Sequence, residues 1–164
     1  MKKLALLVLL AELAVCGCGS GNSANTVNTT ANGNWEATMT GGIGQASLLD
    51  FVTAFSVENT GPLDITGFGF FNANSCFDPN PSVAGTANLT TGSTSNVTGT
   101  LTYTVQSSGS TLTLTGTITG TASNSTVTNG VVVGTWTLSG GNGCSGTGDF
   151  TMCQNTTTCS ATTT

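Results

Sequence analysis

Between residues 96 and 120 the chain alternates apolar and hydroxyl-bearing side chains with a period of two, in two runs on either side of Ser107-Ser108-Gly109-Ser110. In the first run Gly99, Leu101, Tyr103 and Val105 share one side, with Thr98, Thr100, Thr102 and Thr104 on the other. In the second, Leu112, Leu114, Gly116 and Ile118 oppose Thr111, Thr113, Thr115, Thr117 and Thr119. Successive side chains of a strand point to opposite faces, so each run predicts a strand with an apolar and a hydroxyl face, and the Ser/Gly turn joins them as a hairpin. The same pattern predicts strands over 35–40, 48–58, 63–71, 83–89, 127–138 and 146–152. Their inward sets are Trp35, Ala37 and Met39; Leu49, Phe51, Phe55 and Val57; Val132, Gly134, Trp136 and Leu138; and Phe150 with Met152. Asn59-Thr60-Gly61-Pro62 has the chemistry of a turn. The apolar phase then slips from Leu63/Ile65 to Phe68/Phe70 across Thr66-Gly67, which predicts a bulge.

No stretch beyond the first residues has helical periodicity. Eight strands joined by short turns make an all-β domain, an antiparallel meander closed as a barrel or folded as a sandwich. Gly-Thr recurs at 85–86, 99–100, 116–117 and 134–135, each time with the glycine on the apolar side. Glycines on a concave face bend strands, so these positions predict curvature.

The N-terminus departs from this pattern. Lys2 and Lys3 precede a short apolar run, residues 4–10, and small residues follow. The run is too short to span a bilayer, which takes roughly 20 apolar residues, and reads as a secretory signal. Its end resembles the lipobox of bacterial lipoproteins, in which an apolar residue, a small residue and Gly or Ala precede a cysteine that is lipidated after cleavage. Two frames fit: Val15-Cys16-Gly17-Cys18, which makes Cys18 the lipidated residue, and Leu13-Ala14-Val15-Cys16, which makes it Cys16. The preferred Gly favours Cys18. The resemblance implies a signal peptide over 1–17 and a diacylglycerol and palmitate anchor on Cys18, each buried CH₂ worth roughly 0.8 kcal/mol. It also implies the outer membrane of the cell envelope, because Gly19 and not Asp follows the cysteine. Residues 18–33 then form a polar tether with a mean reach on the order of 20 Å, 34–153 the β-domain, and 154–164 a polar tail.

Charge narrows the function. Charged residues are 5% of the chain, against roughly a quarter in an ordinary globular domain. Lys2 and Lys3 are its only basic residues and there is no histidine. Phosphate backbones are held by Lys and Arg, so nucleic-acid binding is excluded, as is an electrostatic grip on anionic lipid. The carboxylates beyond the leader are Glu36, Asp50, Glu58, Asp64, Asp78 and Asp149. A glycosidase-type pair would have to come from these, but they fall on polar faces and strand ends with no cation or imidazole to orient them. Ser and Thr are abundant, yet no base is present to activate one. The sequence therefore points to no catalysis and no cofactor. Hard oxygens at Asp78 and Asn80 suit calcium, but the loop lacks a repeated acidic pattern and reads as a Pro/Asn turn.

With Cys16 and Cys18 in the leader, Cys76, Cys144, Cys153 and Cys159 remain. An even set in an exported chain predicts disulfides, and four cysteines allow three pairings. The expected pairing is Cys76–Cys144, tying the middle of the domain to its end, with Cys153–Cys159 stapling the tail. No histidine accompanies them and no CxxC spacing occurs, which argues against zinc.

Gly33-Asn34-Trp35, repeated as Gly134-Thr135-Trp136, resembles the Gly-x-Trp that opens the first strand of lipocalins and avidin-like barrels. That resemblance implies a small-molecule chamber lined by Trp35, Leu101, Tyr103, Leu112, Leu114 and Trp136. Over its whole length the chain is more similar to small Thr/Gly-rich bacterial lipoproteins built from a leader, a tether and one β-domain. The expected function is thus a lipid-anchored, non-catalytic binding or structural module, with a lipocalin-like carrier of a small apolar ligand as the alternative. Its partner would be a protein, a glycan or an apolar ligand.

Overall fold

The computed structural model describes residues 29–42, 46–92, 94–107 and 109–155. Cys16, Cys18, the expected leader and Cys159 lie outside them. Nine strands form among the described residues: β1 (Thr30–Thr40), β2 (Phe51–Glu58), β3 (Thr60–Pro62), β4 (Asp64–Phe70), β5 (Ser82–Thr91), β6 (Asn96–Ser107), β7 (Ser110–Ser123), β8 (Thr126–Gly140) and β9 (Gly146–Gln154). They make one sheet in the order β3-β5-β6-β7-β8-β9-β1-β2-β4, antiparallel but for a single parallel bridge between Thr30 and Thr126. The predicted central hairpin is β6–β7, in register from Asn96↔Thr121 to Ser107↔Ser110.

The two ends of the sheet belong to one short excursion of chain. Thr60, Gly61 and Pro62 pair with β5, and Leu63 N donates to Gly85 O at 2.9 Å. The next residue begins β4, which pairs with β2. Residues 60–70 therefore lace the first half of the sheet to the second, and the meander becomes a nearly closed barrel, not a sandwich. Above Leu63 the ladder stops, since β4 and β5 share no pairing. Aromatic packing takes its place. Phe68 lies 5.0 Å from both Phe51 and Phe70, Phe70 lies 5.2 Å from Phe77, and Phe51 stacks on Tyr103 at 5.4 Å.

Four boundaries differ from the sequence expectation. β1 begins at Thr30, so residues 30–33, expected in the tether, are strand; their pairing with β2 runs to Thr30↔Glu58, and Ala31 is fully buried among otherwise polar residues. Leu48 and Leu49, expected to open the second strand, lie in a 3-10 turn at Ala46–Leu49. The expected turn around Asn59 supplies a ninth strand: Asn59, with φ 50°, turns the chain, and 60–62 become β3. Gln154, expected in the tail, ends β9 and is buried. The predicted bulge is present. The register passes from Ala54↔Gly67 to Phe55↔Ile65, leaving Thr66 as the extra residue.

The inward glycines are seats for larger side chains on neighbouring strands. Gly116 and Gly134 are directly paired, and Phe150 is paired with Gly134 on the other side. A Cβ on Gly116 would stand 3.0 Å from Phe150 Cζ and 2.6 Å from Val133 O. Trp136 lies over Gly148 in the same way, where a Cβ would meet its Nε1 at 2.7 Å, and Trp35 lies over Gly130, at 2.5 Å from its Cη2. Large against small across a ladder is how a narrow barrel fills at interior density.

Candidate functional site

The residues expected to line a ligand chamber are all inward and all at most 1% exposed: Trp35, Leu101, Tyr103, Leu112, Leu114 and Trp136. They pack on one another and on the ring cluster. The two Gly-x-Trp tryptophans sit toward opposite ends. Trp136 Nε1 donates to Thr40 O at 3.1 Å. Trp35 stacks on Phe55 at 5.1 Å, and its Nε1 is buried with no hydrogen-bond partner among the described residues. Gln154 is paired with Trp35 across β1 and β9. Its Nε2 donates to Asn32 O and Val127 O (2.6 and 3.0 Å), and its Oε1 accepts from Gly130 N at 3.0 Å. A neutral amide that satisfies three backbone groups closes that end without charge. Nothing in the polar residues 154–155 of the sequence marks it out.

The barrel's two ends differ. At one end lie the turns near 59, at Gly92 and Ser95, and at 124–125, and both described termini: Thr30 N bonds Ser125 O and Asn155 N bonds Asn34 O, each at 2.8 Å. At the other end meet the 3-10 turn, the β4–β5 loop, the β6–β7 turn and the β8–β9 loop. The expected Cys76–Cys144 disulfide joins two of these loops across 68 residues, with Cα atoms 5.5 Å apart. Cys153 is not a free thiol; the partner expected for it, Cys159, lies outside the described residues.

Two clefts flank that disulfide. One, of about 230 Å³, lies between Asp78, Ser107, Ser110 and Asn142; the other, of about 160 Å³, lies between Leu48, Asn74 and Gly143. Both are walled by Ser75, Cys76, Asn142 and Cys144. Asn74 builds the wall. Its Oδ1 accepts from Cys76 N and Phe77 N at 3.2 and 3.1 Å, and its Nδ2 donates to Leu48 O at 3.3 Å. Asp78 N donates to Ser107 Oγ at 3.0 Å, fastening the loop to the hairpin. Asn142 and Gly143 take positive φ, 54° and 84°, and Cys144 N closes that turn on Gly141 O at 3.1 Å. Asn-Ser-Cys and Asn-Gly-Cys are turn signatures in the sequence, but their meeting is not written there.

Glu36, Asp64, Asp78 and Asp149 belong to four different elements or loops, and among the described residues no group of three or more His, Cys, Asp or Glu is placed to hold a metal. Partial burial raises the Asp50 carboxyl above the usual carboxylate range, against the lowering effect of Met39 N, which donates to its Oδ1 at 2.7 Å. A third, apolar groove of about 450 Å³ runs outside β1, β2 and β4, where Gly67 and Gly69 face Ala54 and Val52. Among the described residues Asn34 and the buried Thr53 are its only polar side chains. No helix among the described residues is long and apolar enough to cross a membrane. No protein-family model, no curated protein and no solved structure matches this chain.

Proposed function

We propose that this chain is a lipid-anchored protein of the cell envelope, held in the outer membrane through Cys18, whose β-domain is a non-catalytic module that binds at the end of the barrel turned away from the lipid. The observation that carries the reading is the separation of ends: both described termini leave one end, and the disulfide with its two clefts stands at the other. A tether entering at Thr29 would hold the domain by its first end and present the second. The filled interior supports a surface site over a lipocalin-like chamber, because the space beside Gly116 is already taken by Phe150 and Val132. The outer face supports an anchor over insertion. A barrel that spans a bilayer turns an apolar band to lipid, whereas here Thr98, Thr100, Thr115, Thr117 and Thr119 are exposed and their apolar neighbours face in.

The test is fractionation. Cys18→Ala is expected to move the protein from the membrane to the soluble fraction, while Cys16→Ala leaves it bound. If Cys16→Ala alone releases it, the anchor is Cys16; if neither does, the reading fails.

A further inference from the structure

We infer that the two clefts beside the Cys76–Cys144 disulfide form one binding site for a neutral saccharide, one ring on either side of the disulfide. The inference rests on the proposed reading that the domain binds at this end. It follows from what the lining accepts and refuses. Beyond Lys3 the chain has no Lys, Arg or His, so a phosphate, sulfate or carboxylate ligand finds no counter-charge on a protein of net charge −5. A hard cation needs six to eight oxygens, several of them carboxylates, and Asp78 is the only carboxylate in either lining. An apolar ligand is refused by Ser75, Asp78, Ser107, Ser110 and Asn142. A neutral polyol fits all three constraints. Its hydroxyls both donate and accept, matching an acceptor-only carboxylate, an amide that does both, and serine hydroxyls that do both. Among the described residues the side chains of Ser75, Asp78 and Asn142 carry no hydrogen bond of their own.

Size and rigidity agree. At about 230 and 160 Å³ each cleft falls below the roughly 300–1,000 Å³ of a drug-sized pocket, which suits a single ring. Their shared wall, Ser75, Cys76, Asn142 and Cys144, suits two consecutive rings of one chain. The wall is set before any ligand arrives, by the disulfide and by the three bonds of Asn74, so little ordering cost falls on binding.

The experiment is calorimetric titration of the full chain in phospholipid nanodiscs with three neutral hexasaccharides, built of β-1,4-glucose, α-1,4-glucose and β-1,4-N-acetylglucosamine, and with calcium chloride. At least one hexasaccharide is expected to bind saturably at one site. Asn142→Gly, which keeps the positive φ and removes the amide, and Asp78→Asn should each weaken binding at least tenfold with melting temperature unchanged. Val133→Thr, on the exposed wall of β8, should leave it unaltered. Binding of none of the three sugars overturns the inference, as does binding that both cleft variants leave intact, or calcium binding lost with Asp78→Asn where the sugars are silent. Those failures are separate from failure of the anchored-module reading, which is read by fractionation.

Discussion

Tyr103 shows how one polar atom is carried into this core. Its hydroxyl donates to Thr53 Oγ1 at 2.7 Å, and Thr53 Oγ1 in turn donates to Gly67 O at 2.9 Å. Burial pushes the phenol up to about 12, only partly offset by the Thr53 bond. An unfolded tyrosine ionises near 10, so the folded state keeps its proton longer; the stability this confers is complete below about pH 10 and lost as pH rises through the folded value. Tyr103→Phe is expected to cost about 0.5–1.5 kcal/mol at pH 7, a deficit that shrinks above pH 10 in urea melts. Asp50 behaves oppositely at neutral pH. Its folded pKa is raised, so its contribution is present below the ordinary carboxylate pKa and lost as pH rises through the folded value. At pH 7 the ionised side chain sits in a site that disfavours its charge. Asp50→Asn keeps the acceptor for Met39 N and should melt higher than the natural protein at pH 7, with the gain gone at pH 3.

At the scale of the element, the strands of this barrel are shaped as much by their glycines as by their apolar residues. Gly116 on β7 makes room for Phe150 on β9, and Gly134 on β8 lets the backbone of Thr115 and Gly116 come close. Gly116→Leu should therefore overpack the ladder and cost about 1–3 kcal/mol, read in thermal melts with and without an apolar dye. An unchanged melt together with lost dye binding would instead mark the position as the wall of a chamber and restore the carrier alternative. The alternation that predicted these strands holds wherever apolar residues mark the inward face. It fails where they do not: Ala31 and Gln154 are buried within runs that read as polar linker. At Leu48 and Leu49 the failure is reversed, since Leu49 is buried by closing the barrel's end and not by joining a strand.

For the molecule as a whole, closure depends on residues 60–70 and on the disulfide. The first laces the sheet at one end; the second ties the β4–β5 and β8–β9 loops at the other. Cross-linking a loop of 68 residues is worth roughly 4 kcal/mol by the chain-entropy estimate. Cys76→Ser with Cys144→Ser should lose stability on that order in denaturant melts, and reduction of the natural protein, which also opens the Cys153 bond, should lose at least as much. A loss well below 1 kcal/mol would mean that the ring cluster of Phe51, Phe68, Phe70, Phe77 and Tyr103 holds the seam without help.

The strands, their inward faces, the bulge at Thr66 and the absence of cationic chemistry were legible in the residues, because period two and composition are local properties that survive any arrangement in space. The Cys76–Cys144 pair was expected from among three possible pairings, and the 5.5 Å separation of its Cα atoms bears it out. Barrel against sandwich turned on which edge strand meets β5, a pairing of Thr60–Pro62 with Thr86, Ala87 and Asn88 that no local pattern encodes. The clefts were not legible at all. Asn74, Asp78, Ser107 and Asn142 come from two loops and the end of β6, spread over 69 residues of sequence, and what brings them together is the curvature of the sheet between them.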